Sequence, residues 1–354
     1  MIYANNPVVS QDISHILTQP LPWQLLNGAT VLVSGAGGFL PAYMVETLAA
    51  LNARGANVRV VGLVRNLEKA RGRLGHLASR GVELIQQDIV EPLRADVPKA
   101  DFIVHAASQA SPRFYGTDPV GTLEANTTGT QQMLRHAKRS DCRSFLFFSS
   151  GEVYGVPLAE TNRLSETDYG YLDPATVRSC YAESKRMGET LCVAWHHQFG
   201  VPARIVRPFH TYGPGMDLND GRVFADFVSD ILAGRNVVLK SDGLAVRPFC
   251  YLADATTGFF TVMLEGESGK AYNVGNPDAE TSIKDLAHLL AGLYPEMGLT
   301  VNHLIPDQQA GGYLQSQVSR ATPTIQRMIT LGWQPTTGLA EGFERTVSAM
   351  RWQP

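Results

Sequence analysis

The sequence predicts an α/β fold, a Rossmann-type doubly wound parallel sheet with a smaller, discontinuous C-terminal domain. Three observations predict it. Short apolar runs alternate with helical stretches, the first run exits through clustered glycines into a helix, and the texture changes after Tyr212.

Residues 1–27 read as a leader, a short amphipathic helix followed by the turn-prone "TQPLPW". "ATVLVSG" is then a buried strand with a glycine-rich exit, and "AYMVETLAALNARG" a helix ended by Gly55. "NVRVVGLV" is a second strand and "LEKARGRLGHLASRG" a second helix. "VELIQQD", "ADFIVHAAS", "SFLFFSS" and "PARIVRPF" continue as strands, with helical stretches around 118–139 and 181–199 between them. Beyond Tyr212, "GPGMDLNDG" is loop, 222–234 is a helix, "RPFCYLADATTGFF" returns toward the core and "AYNVGNP" is another short strand. The rest is mostly helical. The main domain is therefore expected over 28–211, with 246–276 returning to it, and the second mainly over 212–354.

Bulk properties narrow the class. A chain of 354 residues can bury a sizeable core, and a formal net charge of −3 argues against binding nucleic acid or an anionic membrane. Cys142, Cys180, Cys192 and Cys250 show neither pairing nor metal-ligand spacing, which predicts reduced thiols in a cytoplasm and no metal. The N-terminus lacks the basic and apolar regions of a signal peptide. No apolar run approaches the roughly 20 residues that a membrane helix needs. A cytoplasmic globular protein is expected.

"SGAGGFLPA" carries the first chemistry. Gly35 and Gly38 let the backbone turn tightly and approach a pyrophosphate, which the N–H groups of the following helix, opening at Phe39 and Leu40, would stabilise. Strand, turn and helix together make this a dinucleotide site, and 28–211 a dinucleotide-binding domain. Pro41 stands where a third glycine is usual, a substitution the first helical turn tolerates. The second strand ends with Val64 where an acid for the adenosine ribose would stand, and Arg65 follows. An arginine there suits a 2′-phosphate, so the cofactor is NAD or NADP, with a lean toward NADP. Asp88, with Ile89 after it, is placed either to meet the adenine edge or to cap a turn.

"RSCYAESKRMGE" places Tyr181 and Lys185 four apart on one helical face. A lysine charge near a phenol stabilises the phenolate and is expected to lower its pKa toward the range of a general base. Ser150 ends the strand before that helix, followed by Gly151 and Glu152 in "SSGEVYG".

These motifs, with "HAASQASP", "RIVRPFHTYGPGM", "DGRVFADFV", "RPFCYLAD" and "LGWQPTTGLAEGFERTV", make the chain resemble an extended short-chain dehydrogenase/reductase. Within that group it is similar to the nucleotide-sugar epimerase/dehydratase family, and most of all to UDP-glucuronate decarboxylases (UDP-xylose synthases). The resemblance spans about residues 29–347. It implies that Tyr181 takes the proton from the sugar O4, that Lys185 holds the nicotinamide ribose and that Ser150 bonds O4. It adds Ala106, Ala107, Ser108 and Asn126 to the cofactor cleft. Ser111 and Arg113 are implied near the sugar C6, and Arg178, Arg222 and Arg247 at the pyrophosphate or sugar. A nucleotide-sugar substrate is implied, and a homodimer built on the helices around 118–139 and 181–199.

Gly151 bears on the reaction. Once C4 is a ketone, a C6 carboxylate is β to it and leaves as CO₂ without a dedicated acid, whereas a C6 hydroxyl leaves as water only with a proton donor. The similar 4,6-dehydratases carry an aspartate before the glutamate, and glycine cannot donate. The decarboxylases generally carry serine or threonine there, so glycine departs from them too, or makes room for a larger C5 substituent. Glu152 is a candidate base at C5, an acceptor for a sugar hydroxyl, or a turn-capping residue. The order of readings is decarboxylation, then 4-epimerisation, then 4,6-dehydration. A cofactor-binding scaffold without catalysis is the alternative of another class.

Overall fold

The structure is a computed structural model and describes residues 3–157, 163–304 and 320–353. Helix α1 (Pro7–Thr18) precedes β1 (Thr30–Ser34), and the glycine turn leads into α2 (Phe39–Asn52). Then come β2 (Arg59–Val64), α3 (Leu67–Leu74), β3 (Val82–Gln86) and β4 (Phe102–His105). Three helices follow, α4 (Pro112–Thr117), α5 (Pro119–Asn126) and α6 (Thr128–Ser140), before β5 (Ser144–Phe148), α7 (Cys180–Phe199) and β6 (Ala203–Pro208). The helical stretch expected around 118–139 is thus broken at Thr127, where φ is −110° and ψ −72°.

Next come β7 (Thr211–Tyr212), α8 (Val223–Leu232), β8 (Val237–Leu239), β9 (Val246–Pro248) and β10 (Cys250–Tyr251). The described chain continues through α9 (Leu252–Glu265), β11 (Ala271–Val274), β12 (Glu280–Ser282), α10 (Ile283–Gly292) and β13 (Val301–His303). It ends with α11 (Gln326–Thr330) and α12 (Leu339–Arg351).

Seven strands form the central sheet in the order β11-β6-β5-β4-β1-β2-β3. All of its pairings are parallel. The central strands are largely apolar because helices cover both faces, and every residue of β4 and β5 is buried. Strand order reverses between β1 and β4, so their C-terminal ends flank a crevice of the kind in which open α/β sheets bind ligands. Ligand-binding residues are therefore expected on the loops after β1, β2, β4, β5 and β6. The later chain adds two-stranded pairs, β7 with β10, β8 with β13 and β9 with β12, while β11 rejoins the sheet beside β6.

The N-terminal helix is built into this core. Val9, Ile13, Ile16 and Leu17 are buried in the same apolar cluster as the sheet, and α1 touches α2, α9 and α12. Its buried Asp12 joins distant segments, accepting hydrogen bonds from Tyr43 at 2.8 Å, Tyr251 at 2.7 Å and Arg345 at 2.5 Å. Burial raises this carboxyl above its usual range while Arg345 and the two phenols pull it down. The four cysteines are buried free thiols. Among the described residues, no His, Cys, Asp or Glu cluster could hold a metal, and no helix is long and apolar enough to cross a membrane.

Replacing Asp12 by Ala strands two buried phenol donors and a guanidinium. The expected loss is about 3 kcal/mol of unfolding free energy, read as a lower denaturant midpoint at unchanged slope.

Candidate active site

The glycine turn closes against the exit of β4. Gly35 has φ +69°, and a Cβ there would lie 2.7 Å from the Ala107 Cα, so neither the turn nor the contact admits a side chain. Gly38 starts α2 without a side-chain cap, which leaves the N–H groups of Phe39 and Leu40 at an open helix end. Pro41 is buried in the first turn, and the Ala42 N–H still reaches the Gly38 carbonyl at 3.1 Å. Two buried atoms nearby, Ser108 Oγ and Asn126 Oδ1, have no hydrogen-bond partner in the described structure. The Asn126 amide nitrogen is held by the Thr122 carbonyl at 3.1 Å and Ser184 Oγ at 3.0 Å. An uncapped helix end, a turn without side chains and orphaned polar atoms fit a dinucleotide. Asp88 accepts from the Val90 N–H at 3.1 Å, and Ile89 is buried against Gly129.

Tyr181 and Lys185 lie on the first turns of α7 and are buried, at 5% and 2% exposure. Tyr181 stacks on Tyr115 with ring centroids 4.8 Å apart. Its phenol is pushed up to about 12, first by burial and then by the Glu152 carboxylate, with Ser150, Arg222 and Arg178 opposing. The expected lowering by Lys185 is therefore corrected. The Lys185 ammonium donates to the Phe148 carbonyl at 2.6 Å, the last residue of β5, and stands 5.7 Å from the Tyr181 ring centroid. Burial lowers this amine to about 7, while the field of Glu189 raises it.

Ser150 caps the 3₁₀ turn Gly151–Tyr154, accepting from the Glu152 N–H at 3.2 Å, and its hydroxyl bears on the phenol. Glu152 pairs with Arg178 at 2.8 Å, and Arg178 also lies over the Tyr115 ring, 5.0 Å from its centroid. Arg222 donates to the Ala110 carbonyl at 3.0 Å and pairs with Asp220 at 3.3 Å. Ser111 caps α4 and donates to the Asp220 carbonyl at 2.6 Å, while Arg113 is exposed on α4. Arg247 lies on β9 and, with Arg222, faces His210. Burial and these two guanidiniums depress His210 to about 3, which keeps its imidazole neutral.

No open space stands above Gly151. A Cβ there would lie 2.9 Å from the ring of Phe209, itself only 2% exposed. The expected room for a substituent is thus filled by an aromatic ring from the end of β6.

Behind the site runs a buried polar network. Arg207, 1% exposed, grips Glu189 through two hydrogen bonds of 2.8 and 2.6 Å. Glu189 also accepts from Ser149 at 2.5 Å, and Arg207 donates to the Tyr154 hydroxyl at 2.8 Å. Tyr115, Glu189, Arg207, Phe209 and His210 were not singled out from sequence. Glu189 lies four residues past Lys185, the one local signal that could have marked it.

A glycine turn at the switch point of a parallel sheet, with Ser150, Tyr181 and Lys185 at the ends of neighbouring elements, defines a Rossmann-type NAD-dependent enzyme. The chain belongs to the NAD dependent epimerase/dehydratase family, whose pattern matches residues 31–275. UDP-glucuronic acid decarboxylase 6 of Arabidopsis thaliana is 34% identical over 331 residues, covering 92% of this chain and 91% of the relative. UDP-glucuronic acid decarboxylase 1 of Xenopus tropicalis is 36% identical over 327 residues, 91% of this chain and 72% of the relative. The fold is similar to that of a UDP-glucuronic acid 4-epimerase from Bacillus cereus, a tyrosine-to-phenylalanine variant solved with UDP-4-deoxy-4-fluoro-glucuronic acid and NAD. That likeness has a TM-score of 0.77 at 23% identity and covers 91% of this chain and 99% of the other.

Gly151→Asp is expected to destabilise the protein by about 1–3 kcal/mol, because its Cβ enters the space of Phe209. Chemical denaturation of the two proteins measures it, and equal stability would contradict the packing.

Proposed function

We propose that this chain is a nucleotide-sugar decarboxylase of the UDP-glucuronic acid type, acting by transient oxidation at C4. The observation that carries it is the end of β5, where Ser150 and Glu152 flank a Gly151 whose side-chain space is closed by Phe209. Gly151 supplies no acid there to protonate a departing hydroxyl, whereas a β-keto carboxylate needs none. The high similarity of the chain to decarboxylases over most of its length supports the same order of readings.

Gly35, Gly38, Phe39, Leu40, Ala106, Ala107, Ser108, Asn126 and Lys185 would hold the NAD, which supplies the hydride acceptor at C4 and returns the hydride at the end. Tyr181 removes the O4 proton, and Ser150 bonds O4 and orients it. Burial keeps Tyr181 protonated until a positive charge enters the site, since desolvation favours the neutral phenol. The sugar C5–C6 bond then breaks, CO₂ departs, and the electron pair enters the C4 carbonyl to give an enolate. That enolate would take a proton at C5 from water, the one proton the decarboxylation consumes, and Tyr181 would return its own proton to O4 as C4 is reduced. Arg178, Arg222 and Arg247 would neutralise the pyrophosphate and the carboxylate before it leaves. Arg178 would bind in exchange for, or together with, its present partner Glu152.

Incubation with a panel of nucleotide sugars, read by mass, tests the reading. A UDP-glucuronate product lighter by CO₂ is expected, a product lighter by water overturns the order, and an isomer of unchanged mass points to 4-epimerisation. Tyr181→Phe is expected to lower turnover by about 10²–10⁴-fold with the fold intact by circular dichroism. Full activity in that variant would sink the assignment.

The protein is also proposed to pair as a homodimer through α5 and α7, which pack side by side. Val120 and Leu123 on α5, and Met187 and Val193 on α7, are exposed apolar side chains, with 62% of Val120 and 50% of Met187 open to solvent. Sedimentation is expected to give a dimer at micromolar concentration, and Met187→Glu a monomer. A wild-type monomer under those conditions contradicts the proposal.

A further inference from the structure

Beyond the last residue of β2 opens a recess of about 470 Å³, lined by Arg65, Asn66, Leu67, Glu68, Arg71 and Gln86. It lies at the loop after β2, where a dinucleotide in this fold places its adenosine ribose. Val64, in the position an acid would take, is buried against the glycine turn. Its Cγ1 lies 4.0 Å from where a Cβ of Gly37 would be. No carboxylate is thus presented to the ribose hydroxyls from the end of β2.

Two guanidiniums take its place. Arg65 follows Val64 directly, and Arg71 reaches the same recess from the second turn of α3. Both are exposed, and among the described residues neither side chain makes an ion pair or a hydrogen bond. Arg73, on the same helix, is instead tied to the Gly37 carbonyl at 3.1 Å and the Gly215 carbonyl at 2.8 Å. The Asp118 carboxyl, held below its usual range chiefly by Gln109 and the Gly121 N–H, feels the charge of Arg65 as well. Two cations and one carboxylate, Glu68, line the recess itself, and Asp118 lies outside that lining. That balance suits a dianionic phosphomonoester better than a pair of hydroxyls.

We propose that the recess receives the 2′-phosphate of NADP, with Arg65 as its principal partner and Arg71 as the second. This rests on the reading that the glycine turn holds a dinucleotide. The full chain, stripped of copurified nucleotide, is titrated with NAD and with NADP by calorimetry. NADP is expected to bind at least as tightly as NAD. Arg65→Ala is expected to weaken NADP about tenfold or more, as removal of a charge-assisted bond does, and NAD much less. Arg71→Ala is expected to give the same pattern with a smaller loss. Tight NAD with no measurable NADP overturns the proposal alone. Equal weakening of both by Arg65→Ala also overturns it, because the arginine would then meet something common to the two. Binding of neither dinucleotide removes the proposed function together with this inference.

Discussion

The buried grip of Arg207 on Glu189 is the interaction on which the geometry of the site depends. Taking both charges from water costs several kcal/mol each, and only a well-formed, fully bonded pair offsets that. Here the fork of Arg207 meets both carboxylate oxygens, and one of these also accepts from Ser149. The contact therefore joins β6, α7 and the exit of β5. Glu189 lies one turn beyond Lys185 and two beyond Tyr181, so the pair sets the rotation of the helix carrying both. Through Ser149 it also sets the height of Ser150. Through Arg207 it reaches Tyr154 and, by that hydroxyl, Asn273 on β11 at 2.5 Å.

Electrostatics in the site follow from burial more than from pairing. The same desolvation that raises Tyr181 to about 12 lowers Lys185 to about 7. Each shift disfavours the charged form, which makes both groups sensitive to any charge brought into the cleft. The amine also carries a stability consequence. Between about 7 and its ordinary value of 10.5 the unfolded chain binds more protons than the folded one. Its burial cost is full below about 7 and is relieved as pH rises through that window. Glu189 limits the cost, because its negative field raises the lysine toward its ordinary range.

Gly151 and Phe209 act as one unit. A glycine in this loop is not an opening for a substituent, since the phenyl ring occupies the volume that a side chain would take. What remains polar at the end of β5 is Ser150 on one side and Glu152, neutralised by Arg178, on the other. An environment with a bonded hydroxyl, a compensated carboxylate and no free acid favours a reaction in which the leaving group departs unprotonated.

The local patterns of the sequence determined the class of the molecule. Alternating strands and helices, the positive φ of Gly35 in a turn that only glycine suits, and the four-residue spacing of Tyr181 and Lys185 are properties of neighbouring residues. They were legible for that reason. The identity of Val64 and Arg65 at the end of β2 was legible in the same way. Tertiary structure alone decided what meets across the chain. Arg207 finds Glu189 from another element, Phe209 closes the space of Gly151 from the end of β6, and Tyr115 arrives from α4 to stack on Tyr181. It also decided that Lys185 turns to the Phe148 carbonyl and that α1 is tied to α12 through Asp12. The physical reason is the range of the forces. Backbone conformation and helical spacing act within a few residues, while desolvation, charge compensation and close packing depend on which distant segments the completed sheet brings together.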